Sequence, residues 1–155
     1  MGGHKTISTK SYLQTPPPQP QWISPTSHID VGTNWSLPTR AYDGLVTTYA
    51  TSSIPQGSWS GYLQLLLPQQ CTCSKVRIFT NVGTGVAVNM LQVYVYYSGI
   101  YTMIFNGPPT KGVWIEHVIP AGNKMVTKAQ FRYYNGSGVV PQNAHVSEFE
   151  FWQIP

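Results

Sequence analysis

A chain of 155 residues, 41% of them hydrophobic and only 9% charged, has the length of one domain and enough apolar material for a core. Nine bases scattered from Lys5 to Arg132 against five acids leave a net charge of +4, a shortage of acid rather than a basic stripe, which argues against a nucleic-acid binder. The longest apolar run, "LQLLLP", is strand-sized, so no membrane span is expected, and solubility must rest on Gln, Asn, Ser, Thr and Tyr or on burial against partners.

The opening "MGGHKTISTK" carries charge with no apolar stretch behind it, which is not the pattern of a secretory signal. Residues 1–38 form a first region. Its "QTPPPQPQWISP" is proline-dense and favours extended polyproline II. Alone, such a segment is expected to be disordered. It becomes ordered by lying against its own domain or a neighbouring subunit, with Trp22, Ile23 and Trp35 as apolar anchors. The expectation is a docking arm.

Residues 39–155 read as strand after strand. "GYLQLLLP", "KVRIFTNV", "MLQVYVYYSG", "IYTMIFNG", "GVWIEHVIP", "KAQFRYYNG" and "HVSEFEFWQI" are short, rich in β-branched and aromatic residues, and bounded by Gly, Pro or Asn. In "KVRIFTN" Val76 and Ile78 face one way and Lys75, Arg77 and Phe79 the other; in "VSEFEFW" Val146, Glu148 and Glu150 oppose Ser147, Phe149 and Phe151. No segment keeps a helical period. The expected fold is all-β, a jelly-roll sandwich of about eight antiparallel strands. Cys71 and Cys73 in "CTC" share a strand face. A disulfide there would be strained, and His4, His28, His117 and His145 show no zinc spacing, so the thiols read as reduced and half-buried.

"RAYDGLVTTYATSS" resembles the A-x-D-G-x-x-x-T segment of F5/8 type C (discoidin-like) domains, the galactose-binding-like jelly rolls. "YLQLLLP", "SKVRIFTN", "LQVYVYYSG", "KAQFRYYN" (with Arg132 at the family's arginine position) and "HVSEFEFWQI" are similar to the family's successive strands over about residues 38–154. The departures are Leu45 after "DG", a missing tryptophan near Tyr49, Leu66 in place of an acid, and "YYSGIY" in place of S-x-D-G.

The resemblance implies a structural calcium held by Asp43, Thr48 and Glu148 with backbone carbonyls, a donor set suited to a hard cation. The alternative is that Asp43 caps a turn in which Gly44 takes positive φ, with Glu148 paired to Arg40 or Arg132. No other cofactor is expected. Sugar binding in such folds uses loop aromatics with amide, His or Arg partners. The candidates are Trp59, Tyr62, Tyr101, Trp114, Asn135, Asn143 and His145, against the reading that aromatics at alternate strand positions are core. A glycosidase needs two carboxylates across a bond, and a serine hydrolase needs a nucleophile elbow. The sequence presents neither, and no enzyme is expected.

Two functions remain. One is a structural or decoration protein of an assembled particle, such as a phage or virus virion, docked by its arm among other virion proteins and homo-oligomeric. The other is an extracellular carbohydrate-binding module. They diverge on what the arm touches: another chain, or its own sandwich.

Overall fold

The computed structural model describes residues 17–83, 88–136 and 141–155. Its strands run β1 (Gln21–Ile23), β2 (Ser27–Asp30), β3 (Ala50–Ile54), β4 (Ser58–Trp59), β5 (Leu63–Thr80), β6 (Met90–Tyr97), β7 (Ile100–Gly107), β8 (Trp114–Val118), β9 (Lys124–Asn135) and β10 (Gln142–Gln153). Every strand pairing is antiparallel. Among the described residues, no helix is long and apolar enough to cross a membrane.

The length of β5 explains the two layers. Its start, Leu63 to Leu66, pairs with β2 and β9, while Lys75 to Phe79 pair with β8 and β10. Between Leu66 and Cys71 the register with β9 shifts, and the exposed Pro68, which has no N–H to give a ladder, sits in that break. One layer is therefore β2, the first part of β5, β9, β6 and β7, with β4 against β9. The other is β8, the last part of β5, and β10, with β1 and β3 also on β10. Together they form an antiparallel jelly-roll sandwich.

The core lies where β9 meets β10. Phe131 stacks on Phe149 with centroids 5.8 Å apart, and Phe149 meets Phe151 edge-on at 5.3 Å. All three are fully buried, each stabilising the fold by roughly 1.5–3 kcal/mol. The buried Tyr133 adds a polar tie between layers, its hydroxyl 2.7 Å from Thr80 Oγ1.

The alternation expected for residues 75–79 is present, with Val76 and Ile78 inward. That expected for residues 146–151 breaks at its start. A bulge sets Val146 opposite Thr80 but Glu148 opposite Phe79, so Val146 joins Phe149 and Phe151 in the core. The two-residue rhythm fails wherever one strand carries an extra residue. The cysteines are fully buried rather than half-buried, free, with sulfurs 3.4 Å apart. Burial, followed by the bond to Cys71, raises the Cys73 pKa, which keeps it a thiol.

The described part of the arm takes one of the two courses open to it. Residues 1–16 lie outside the described residues, but the arm's three anchors dock at home. Trp22 and Ile23 pair with Trp152 and Phe151 of β10. Trp35 is 5% exposed, lies edge-on to Phe131 at 5.6 Å and donates its indole N–H to Gly61 O at 3.0 Å. Asp30 fixes that approach, its carboxylate accepting from the amides of Asn34 and Trp35. Residues 21–37 thus lie against their own sandwich.

Candidate functional site

The outward side of the β2–β5–β9–β6–β7 layer can be read from register, because directly paired residues share a face. Phe131 of β9 is inward and pairs with Leu63 and Val93. The outward residues are then Lys128, Gln130, Arg132 and Tyr134 on β9, Gln64 and Leu66 on β5, and Gln92, Tyr94 and Tyr96 on β6. Trp59 of β4 pairs with Tyr134, Tyr101 of β7 pairs with Tyr96, and Tyr62 precedes the inward Leu63. The result is a sheet face of aromatic rings, amides and two cations.

Its centre is a stack. The Arg132 guanidinium lies 4.4 Å from the Trp59 ring and 4.6 Å from the Tyr62 ring. Arg132 Nε donates to Gln92 Oε1 at 2.8 Å, and the Tyr94 hydroxyl donates to the same oxygen at 3.1 Å. Tyr62 meets Tyr94 edge-on at 5.8 Å. Beside it Lys128 Nζ sits 4.6 Å from the Tyr96 ring and 5.3 Å from that of Tyr101. Each cation–π contact contributes about 0.5–1 kcal/mol at such semi-exposed positions, and together they hold two flexible cations in place. Burial and the Tyr94 hydroxyl push the Tyr62 phenol up to about 12, and burial does the same to Tyr101, so both stay neutral donors.

Of the residues singled out in the sequence, Trp59, Tyr62 and Tyr101 meet on this face. The others do not. Trp114 is on β8 in the opposite layer, against Phe79 at 5.7 Å and the Arg77 guanidinium at 4.1 Å. Asn135 is buried and donates to Ile54 O at 3.0 Å, bracing β9 against β3. Asn143 and His145 belong to β10 beside β3; His145 is buried and stacked on Tyr49 at 4.2 Å, where desolvation lowers its pKa. Lys128, Gln92, Tyr94 and Tyr96 were missed as site residues, and Arg132 was seen only as a family marker. The available signal was parity: alternate residues of "KAQFRYYN" are Lys, Gln, Arg and Tyr.

The loop at residues 43–48 holds the second candidate. Asp43 Oδ1 accepts from the Leu45 amide at 3.0 Å, with Gly44 at φ +82°, the turn that Asp-Gly encodes. Asp43 Oδ2 accepts from Thr48 Oγ1 at 2.7 Å. Glu148, 1% exposed, reaches this loop rather than Arg40 or Arg132, and its Oε1 accepts from the amides of Gly44 and Leu45 at 2.6 and 2.9 Å. Its Oε2 is buried with no partner. Burial, then the facing Asp43 carboxyl, raise Glu148 to about 7 against the pull of the two amides. The orphaned Oε2, Asp43 and the Thr48 hydroxyl are oxygen donors of the kind calcium takes, so the residues fit that ion, although no cluster of three or more His, Cys, Asp or Glu is found among the described residues.

Between the layers lies a cavity of about 190 Å³, lined chiefly by Ile78, Leu91, Phe105, Ile115 and His117. It is apolar apart from Thr80, Thr110 and the imidazole, and is separate from both sites. Elsewhere Glu116 pairs with Lys75 at 2.5 Å and Glu150 with Arg77.

No protein-family model and no curated protein sequence matches the chain. Solved structures do match. A family 32 carbohydrate-binding module of C. perfringens NanJ, in complex with galactose, is 12% identical with a TM-score of 0.59, over 87% of this chain and 93% of that one. The family 32 module of AlyQ, in complex with 4,5-unsaturated mannuronic acid, gives 12% and 0.62, over 84% and 97%. A pectin-binding module gives 9% and 0.59, over 82% and 89%. The fold is the galactose-binding-like, discoidin-like jelly roll.

Proposed function

We propose that this chain is a non-catalytic carbohydrate-binding domain that holds a glycan on the outward face of the β2–β5–β9–β6–β7 layer. The observation that carries the reading is the Trp59–Arg132–Tyr62 stack, flanked by Gln64, Gln92 and Tyr94. Sugar rings have apolar faces that lie against aromatic side chains, and hydroxyl rims that amides and guanidinium groups can bond. The fold's neighbours support it, since modules with this architecture are seen with galactose and with an unsaturated mannuronic acid. The arm lends its weight to the same side. Its Trp22, Ile23 and Trp35 pack within the chain, so these three anchors are engaged at home and not with another chain.

If calcium occupies the 43–48 loop, Asp43, Thr48 and Glu148 would hold it. It would neutralise two facing carboxyls and fix the loop. The test of the main reading is affinity electrophoresis of the full chain through gels containing a panel of polysaccharides. Retardation is expected with at least one, and is expected to disappear in Trp59→Ala and Tyr62→Ala while both variants melt as wild type. Unchanged retardation in both variants would refute it.

A further inference from the structure

The charges on the sheet face are one-sided. Its outward positions carry Lys128 and Arg132, and all five carboxylates of the chain lie elsewhere. Asp30 pairs with the inward Leu63 and is spent on the Asn34 and Trp35 amides. Asp43 and Glu148 share the 43–48 loop. Glu116 and Glu150 belong to the opposite layer, where they neutralise Lys75 and Arg77. That contrast is informative. Both layers mount cations on aromatic rings, but only the opposite layer gives them acid partners. Among the described residues, no carboxylate pairs with Lys128 or Arg132.

From this we infer that the ligand of the face is an anionic polysaccharide, carboxylated or sulfated, lying along β9 with its acid groups on Arg132 and Lys128. The inference rests on the carbohydrate-binding reading above and names its ligand class. A guanidinium is a planar fork that matches a carboxylate or sulfate with two parallel bonds. Arg132 is pre-oriented for this, because it lies over the Trp59 and Tyr62 rings and Gln92 takes its Nε. Lys128 supplies a second, rounder charge, steadied by Tyr96 and Tyr101. Four residues apart on a regularly paired stretch of strand, the two stand ~13 Å from one another at the rise of an extended chain. A short run of acidic sugars spans that distance. Between them stand Gln64 and Tyr94, both paired with Gln130, and Gln92 lies beside Arg132, all placed to meet sugar hydroxyls. A polymer that repeats its charge can place one acid on each cation, which a single neutral sugar cannot do.

The experiment uses one backbone in two charge states. The full chain is run through native gels containing sodium polygalacturonate, its fully methyl-esterified form, dextran sulfate or neutral dextran. Retardation is expected in polygalacturonate or dextran sulfate, and which of these two retards more separates carboxylate from sulfate. It is expected to fade as salt rises, and to be absent in the ester and in dextran. Arg132→Gln and Lys128→Gln are each expected to weaken it roughly tenfold, the scale of a lost charge-assisted bond. Lys128→Arg should keep it, and so should Lys75→Gln on the opposite layer. Circular dichroism melting confirms that each variant is folded. Equal retardation by ester and acid, lost in Trp59→Ala but kept in Arg132→Gln and Lys128→Gln, overturns this inference and leaves the carbohydrate reading standing. Retardation by no polysaccharide overturns both. Equal competition by poly(dA) also overturns it, since the face would then be reading charge alone.

Discussion

His117 offers the sharpest test of how the sandwich interior is built. It sits on β8 facing inward, 7% exposed, its ring 4.2 Å from that of Phe105 and its Nε2 without a partner, on the wall of the 190 Å³ cavity. Ile78, Leu91 and Ile115 complete the apolar side of that wall, and no carboxylate lines it. Desolvation lowers the imidazole from 6.5 to about 4. The folded state therefore binds fewer protons than the unfolded chain in this range. Stability is whole above pH 6.5 and is lost as the pH falls from there through 4. At 1.36 kcal/mol per unit the difference amounts to about 3 kcal/mol, or roughly 6–12 °C in melting temperature for a domain of this size. His117→Leu fills similar space, removes the titration and removes a buried polar atom that has no bond to lose. It is expected to be at least as stable as wild type at pH 7, and to retain that stability when wild type weakens at pH 4. Thermal melts of both proteins at intervals of pH measure this. Parallel melting curves across the range would refute the account, by showing that water reaches His117.

Three further outcomes follow from other sites. Trp35→Ala should cost roughly 3–5 kcal/mol in urea unfolding, the loss for a core Trp; a change under about 1 kcal/mol would mean that the segment ahead of residue 38 is separable after all. Tyr133→Phe removes the hydroxyl that joins the layers through Thr80 and should cost about 1 kcal/mol, read from the shift in urea midpoint; no shift would show that Thr80 finds another partner. Calcium chloride is expected to raise the melting temperature over an EDTA-treated sample, and Glu148→Gln to remove the increment. Identical melts in calcium and EDTA would end the metal reading of the 43–48 loop, leaving Asp43 as the turn residue its bond to Leu45 shows.

Much of the architecture was legible because it is written locally. Alternation in residues 75–79, turn residues between short β-rich runs and the absence of a helical period are properties of neighbouring residues, and from Leu63 onward strands stand where they were expected, the first two joined as β5, whereas β1 to β4 were not foreseen. The Asp43-Gly44 turn was legible for the same reason. The bulge beside Ser147 was not, because an extra residue is defined only against the partner strand. The arm misled for a related reason. Its proline content describes a chain with nothing to lie on, whereas Trp35 finds Gly61, 26 positions along the chain, and Phe131, far beyond it in sequence.

The sequence by itself determined an all-β chain of discoidin-like pattern, poor in acid. It could also nominate Trp59 and Tyr62 from their Gly/Ser surroundings. Only the tertiary structure decided that these two enclose Arg132, that Tyr96 and Tyr101 steady Lys128, and that the acids are all turned elsewhere. Those neighbours come from β4, β6, β7, β9 and the residue ahead of β5, brought side by side by hydrogen-bonded register, and register is a property of the assembled sheet, which no local stretch of the chain contains.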